Sequence, residues 1–148
     1  MKIVLITGSC GLVGSESVEY FIKKKFKVIG IDNDLRSYFF GKSASTLWIK
    51  KFLKKKYNRN YIHYNSDISK NKEIEIIFKK YKSKIKLVIH SAAQPSHDWA
   101  ASNPELDFNV NAIGTLNMLK LSKKYLHKKT PFIYMSTNKV YGDNPNKL

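Results

Sequence analysis

The 148-residue sequence predicts an α/β fold, a doubly wound parallel sheet with helices on both faces. Three observations carry that reading. Short apolar runs that read as strands alternate throughout with segments of helical spacing. A Gly-x-x-Gly-x-x-Gly loop, formed by Gly8, Gly11 and Gly14, joins the first run to the first helical segment. A carboxylate, Asp32, closes the second run, about 20 residues beyond the loop, as in Rossmann-type sheets. Ligands in such sheets bind beyond the carboxyl ends of the strands.

The elements follow in order. Ile3 to Thr7 is a short apolar run stopped by glycine, and so a buried strand. Val18, Phe21 and Ile22 share one face of the helix after the loop. Lys27 to Asp32 is a second strand, Ser43 to Lys56 a helix, and Tyr61 to Asn65 a third strand. Ile74, Ile77, Phe78 and Tyr81 give the i, i+3, i+4, i+7 pattern of an amphipathic helix. Lys86 to Ser91 is a fourth strand. Pro104 opens a long helix that reaches about Leu126. Pro131 to Ser136 is a fifth strand. The expected strand order is 3-2-1-4-5.

Composition bounds the function. The chain has the size of one domain and, at 43% hydrophobic residues, can bury a core. No stretch approaches the roughly 20 apolar residues of a membrane span. The apolar start is too short for a signal peptide, so a cytoplasmic protein with no membrane partner is expected. Cys10 is the single cysteine, which excludes an intrachain disulfide and a cysteine metal cluster. The net charge of +16 raises nucleic acid as a partner. Its lysines, however, are spread over several elements, and only Arg36 and Arg59 are arginines, the usual base readers. A solvated basic surface is expected, with no nucleic-acid partner and at most weak, salt-dependent association.

Five motifs follow strand ends. The glycine loop lets backbone N–H groups and a helix N-terminus approach a pyrophosphate. Its members Gly8, Cys10, Gly11, Leu12, Val13 and Gly14 are candidate cofactor contacts, with Cys10 a small residue in the turn and Gly14 allowing tight helix packing. Asp32, with Asn33 beside it, can accept both ribose hydroxyls of an adenosine. It repels a 2′-phosphate, and Asn33 and Asp34 rather than a basic residue follow it, so NAD is expected over NADP. Asp67 and Ile68 come after the third strand, where either an adenine edge or a simple Asx turn fits. In HSAAQPSHDW, Ala92, Ala93 and Gln94 are positioned to line a cofactor; His97 and Asp98 have no recognised metal spacing, and no metal is expected. In MSTNKVYGD, Ser136 and Thr137 place hydroxyls at the end of the fifth strand.

Taken together, TGxxGxxG, D-N, D-I, H-x-A-A, N-x-x-G-T and S-T-x-x-V-Y-G resemble the extended short-chain dehydrogenase/reductase family, the NAD-dependent epimerases and dehydratases of nucleotide sugars. GIDND, AAQPSHDWA and STNKVYGD are most similar to its CDP-paratose 2-epimerases. The resemblance implies a pyrophosphate loop at Gly8, Gly11 and Gly14, a ribose contact at Asp32 and Asn33, an adenine contact at Asp67 and Ile68, and a cofactor lining at Ala92, Ala93 and Gln94. It implies a supporting role for Asn111 and a catalytic hydroxyl at Thr137. The implied reaction is oxidation at C2 of a CDP-sugar, presentation of the opposite ketone face, and re-reduction, with NAD regenerated. The related dehydratases carry Asp-Glu after the threonine; Asn138 and Lys139 stand here, which disfavours elimination.

The family's base, a tyrosine followed four residues later by lysine, is implied beyond Thr137. Tyr141 has Pro145 at that spacing, and Tyr20/Lys24, Tyr38/Lys42 and Tyr125/Lys129 fall in the wrong elements. Residues 1–148 are therefore expected to be an incomplete NAD-binding domain, an epimerase fragment inactive alone. A free-standing NAD-binding module or sensor is the alternative. Homo-oligomer formation by a longer protein is left open.

Overall fold

Five strands form one parallel sheet in the order β3-β2-β1-β4-β5: β1 (Ile3–Thr7), β2 (Lys27–Ile31), β3 (Tyr61–Tyr64), β4 (Ile85–His90) and β5 (Phe132–Tyr134). The computed structural model describes residues 2–94 and 96–136. Thr137 and the V-Y-G segment therefore lie outside the described residues.

The central strand β1 is buried at every position. Its alternation sends Ile3 and Leu5 to one face of the sheet and Val4 and Ile6 to the other. The first face is covered by α4 (Asn71–Tyr81) and α7 (Gly114–Tyr125), through Ile74, Ile77, Phe78, Met118 and Leu121. The second is covered by α1 (Leu12–Lys23) and α3 (Leu47–Lys56), through Val18 and Leu53. The apolar periodicities in the sequence are thus the ones that face the sheet.

The elements differ from the expectation at their ends and between strands. β2 stops at Ile31, so Asp32 is the first residue past it, and β3 stops at Tyr64. β4 begins at Ile85, and β5 keeps only three residues. The expected helix from Ser43 starts at Leu47 because Asp34 engages the preceding residues. Its Oδ1 accepts from the Thr46 N–H (2.6 Å) and hydroxyl (3.0 Å), and its Oδ2 from the Ser45 hydroxyl (2.7 Å). Two short helices are additional: α2 (Leu35–Phe40), ended by Gly41 at φ +81°, and α5 (His97–Ser102), whose first turn is capped by Ser96 accepting from the Trp99 N–H.

The long helix from Pro104 is divided. α6 (Pro104–Phe108) passes through a π-helical turn, Asn109–Ile113, into α7. Two contacts fix this turn. The Thr115 hydroxyl donates to the Asn111 carbonyl (2.7 Å), taking an acceptor that the widened turn displaces. Gly114 lies against Ile68, where a Cβ would stand 2.6 Å from the isoleucine Cδ1.

Candidate functional site

The carboxyl ends of β1, β2 and β4 and the segment after β5 border a cleft of about 350 Å³. It sits at the switch point of the sheet, where β1 is flanked by β2 on one side and β4 on the other. Of the residues named from the sequence, Gly8, Gly11, Leu12, Val13, Gly14, Asp32, Asn33, Asp67, Ile68, Ala92 and Ala93 line it together. Ser136 lines it as well. Cys10, Gln94 and Asn111 do not.

The glycine turn owes its shape to two backbone approaches. Gly8 adopts φ +64°, and a Cβ on it would lie 2.8 Å from the Ala92 nitrogen and 2.9 Å from the Ser91 carbonyl. Gly14 passes so close to the turn that a Cβ would stand 1.9 Å from the Gly8 oxygen. Helix α1 therefore starts in close contact with the loop that precedes it. Its first internal hydrogen bond runs from Ser15 N–H to Gly11 O (2.9 Å). The N–H groups of Leu12, Val13 and Gly14 thus have no acceptor within the helix, and they face the cleft at the positive end of the helix dipole.

Asp32 is tied to that turn. Its Oδ2 accepts from the Cys10 N–H (2.9 Å) and its Oδ1 from the Asp34 N–H (2.9 Å). Burial raises its pKa above the ordinary carboxylate value, while the two backbone N–H groups hold it down in part. The Cys10 side chain is buried beneath the turn, and its thiol is pushed up to about 11 by burial and by the Asp32 charge, so it is inert at neutral pH. Its contribution to the site is the backbone donor.

Asp67 makes an Asx turn: its Oδ1 accepts from the Ser69 N–H (2.8 Å) and hydroxyl (2.7 Å). Ile68 points into the core, and its carbonyl accepts from Asn117 Nδ2 (3.1 Å). Both order the wall of the cleft after β3. Gln94 and Asn111 grip one another instead of lining it. Asn111 Oδ1 accepts from the Gln94 N–H (2.9 Å), and Asn111 Nδ2 donates to the Gln94 carbonyl (3.2 Å) and to Asp107 (2.9 Å). The π-helical turn thereby fixes the loop after β4.

His90 joins these parts from inside. Thr115 spends its proton on Asn111, so its oxygen accepts from His90 Nε2 (3.0 Å). His90 Nδ1 then accepts from the Thr7 hydroxyl (2.7 Å), whose oxygen takes the Ala92 N–H (3.2 Å). Burial lowers the His90 pKa to about 4, so the ring is neutral and each proton in the chain has one assignment.

The sequence reading did not single out Arg36, which lines the cleft on α2 with its guanidinium carbon 5.1 Å from the Phe40 ring centroid. Among the described residues lining the cleft it is the one positive side chain. Its signal was the spacing of four residues past Asp32, legible only once residues 35–40 are known to be helical. Among the described residues no group of three His, Cys, Asp or Glu side chains is placed to hold a metal ion, and no helix is long and apolar enough to cross a membrane.

The family described as GDP-mannose 4,6 dehydratase matches residues 5–147. The chain belongs to this family. Among its similar relatives is the CDP-paratose 2-epimerase of Salmonella typhi, 31% identical over 140 residues, covering 95% of this chain and 38% of the relative. A solved UDP-glucose 4-epimerase of Thermotoga maritima with UDP-glucose is 31% identical, with a TM-score of 0.75 over 96% of this chain and 40% of its own. The Thermus thermophilus UDP-glucose 4-epimerase in complex with NAD is 26% identical, with a TM-score of 0.63 over 83% and 34%. The chain thus spans about two fifths of the relatives it matches. The GDP-mannose 4,6 dehydratase family and these epimerases agree with the family read from the motif order.

Proposed function

We propose that this chain is the NAD-binding part of a nucleotide-sugar epimerase that acts at C2 of a CDP-sugar. The observation that carries the reading is the joining of the glycine turn to Asp32 by the Cys10 N–H, which brings a pyrophosphate cradle and a ribose acceptor into one cleft. The donor set fits the dinucleotide: the turn has no room for a Cβ at Gly8 or Gly14, and it offers N–H groups and a helix N-terminus to an anion. Similarity to the CDP-paratose 2-epimerase and to the NAD complex supports the sugar class and the cofactor.

Bound NAD supplies a reversible hydride acceptor. The chain's residues bind and orient. Leu12, Val13 and Gly14 offer backbone donors to the pyrophosphate, and the Asp32 carboxylate accepts from the adenosine ribose. Asp67 and Ile68 shape the wall for the adenine, and Ala92 and Ala93, with their small side chains, let the cofactor pass across the end of β4. Gln94 and Asn111 hold that loop in place. Thr137 is assigned a hydrogen bond to the sugar oxygen at the reacting carbon.

Calorimetric titration tests the cofactor. NAD is expected to bind more tightly than NADP because Asp32 repels a 2′-phosphate, although Arg36 on the same cleft offsets part of that repulsion. Asp32→Ala is expected to weaken NAD by about 10- to 100-fold, the value of a charge-assisted hydrogen bond, and to narrow the gap between the two dinucleotides. Tighter NADP binding by the unaltered chain would overturn the assignment.

The acceptor must be ionised to take ribose hydroxyls. Because burial raises the Asp32 pKa, NAD affinity is expected to fall on acidification at a pH above the value of about 3.9 for an ordinary aspartate. The stability of the ligand-free fold should move the other way at this group. A folded-state pKa above the unfolded one favours folding as pH drops through it. Affinity measured from neutral pH downwards, beside an Asp32→Asn variant whose profile is flat in that window, checks the sign.

A further inference from the structure

Beneath the glycine turn lies a set of polar side chains that the cleft itself does not use. Tyr61, the first residue of β3, is 3% exposed, and Ser9 is fully buried. Their hydroxyl oxygens are 2.9 Å apart, and the Tyr61 hydroxyl is also 3.2 Å from His63 Nδ1. β3 and β1 are not neighbours; β2 lies between them. The phenol reaches the turn after β1 only because it passes over Gly30 of β2, where a Cβ would stand 2.5 Å from both the Ser9 and the Tyr61 oxygens. Gly30, Tyr61 and Ser9 are one arrangement: a gap in the middle strand, a long arm across it, and a hydroxyl in the turn to receive it.

We propose that Tyr61 is a positioning residue for the dinucleotide loop, holding Ser9 and thereby setting the Cys10 N–H and Asp32 in the geometry that accepts the adenosine half of the cofactor. This deepens the NAD-binding reading above and rests on it. Burial keeps His63 neutral, with its pKa down at about 4, so the Tyr61 hydroxyl bridges His63 Nδ1 and the Ser9 hydroxyl with no charge buried beneath the turn. Ser9 is bound on its other side, with its N–H on the Ile31 carbonyl (3.3 Å), and the next N–H, of Cys10, is the one given to Asp32. Loss of the phenol oxygen frees the turn at the residue adjacent to the Asp32 donor while leaving every cleft-lining side chain in place.

The test is a double-mutant cycle on binding. Tyr61→Phe and Ser9→Ala each remove one partner of the same hydrogen bond. Each is expected to weaken NAD and 5′-AMP by about 3- to 10-fold, with the double variant no weaker than the single ones. Binding of nicotinamide mononucleotide, which lacks the adenosine half, should not change. Unchanged NAD affinity in a folded Tyr61→Phe chain, or losses that simply add, would overturn the proposal. Amide exchange in the ligand-free chain reads the same contact without any cofactor. Tyr61→Phe should speed exchange at Ser9, Cys10 and Gly11 by several-fold and leave β4 unaltered; equal protection at the turn would overturn the proposal. Should the unaltered chain bind no dinucleotide, the NAD reading fails while the exchange result still decides the role of Tyr61.

Discussion

A polypeptide of these 148 residues, incubated with NAD and CDP-paratose, is expected to bind the cofactor and leave the sugar unconverted. Removal of hydride from a sugar carbinol requires that the hydroxyl proton leave with it. The lysine-assisted tyrosine that serves the resembled family has no counterpart after Thr137 in this sequence, since Tyr141 is followed by Pro145 at the lysine position. A threonine hydroxyl, far from ionisation at neutral pH, can donate to or accept from the sugar but is a poor proton acceptor. Absence of a general base costs about 10²–10⁴-fold. Contacts that would position the sugar contribute further, because orientation alone supplies several kcal/mol of barrier reduction. Chromatographic separation of the two epimers checks the outcome. Turnover near the roughly 10 s⁻¹ typical of enzymes would show that another residue of this chain supplies the base.

Gly14→Ala is expected to remove cofactor binding and to lower stability together. The new Cβ would meet the Gly8 oxygen at 1.9 Å, the Gly8 carbonyl carbon at 2.7 Å and the Ser9 Cα at 2.9 Å. All three are backbone atoms, so no side chain can turn aside, and α1 must retreat from the loop. Overpacking of this kind costs about 1–3 kcal/mol, or roughly 3–10 °C in Tm for a domain of this size. Retreat of α1 also withdraws its first-turn N–H groups from the cleft, and NAD affinity should fall by more than about tenfold, the loss of one charge-assisted donor. Gly41→Ala is the control. Gly41 has positive φ, at +81°, but a Cβ there has open space. It should cost about 1–3 kcal/mol in stability through backbone strain alone and nothing in binding. Equal NAD affinity in Gly14→Ala and the unaltered chain, by calorimetry, would separate the glycine contact from the cofactor site.

What could be read in advance was what local pattern encodes. The glycine turn and the placement of Asp32 rest on motif spacing, and the strand order on the doubly wound class that the alternating elements imply; all three stand in the structure. What could not be read depends on contacts between distant segments. The sequence LRSYFF is too short to show helical periodicity, so α2 and the entry of Arg36 into the cleft were hidden. The π-helical turn arises because Gly114 meets Ile68 and Thr115 takes the Asn111 carbonyl, neither of which a pattern within Pro104 to Leu126 reveals. Tyr61 reads as an ordinary strand aromatic; its reach across Gly30 appears only when β2 and β3 are side by side. Asn111 and Gln94 were identified by motif, but that they hold each other is a tertiary fact.

The position of β1 between β2 and β4 has a consequence for the order in which the molecule assembles. β2 returns to β1 after a single helix, a short and entropically cheap closure. β4 arrives from far along the chain: Thr7 and His90 are 83 positions apart. Pairings of that separation form late and slowly. Gly8 is pressed against Ser91 and Ala92, so its left-handed turn has its second wall only after β4 has docked. A nascent β1-α1-β2-α2-α3-β3 unit can therefore hold Asp32 beside Cys10 while the cofactor cleft is still open on one side. Competence to hold a dinucleotide is gained only when β4 docks on β1, and any change that delays β4 leaves a chain that is partly folded and empty-handed.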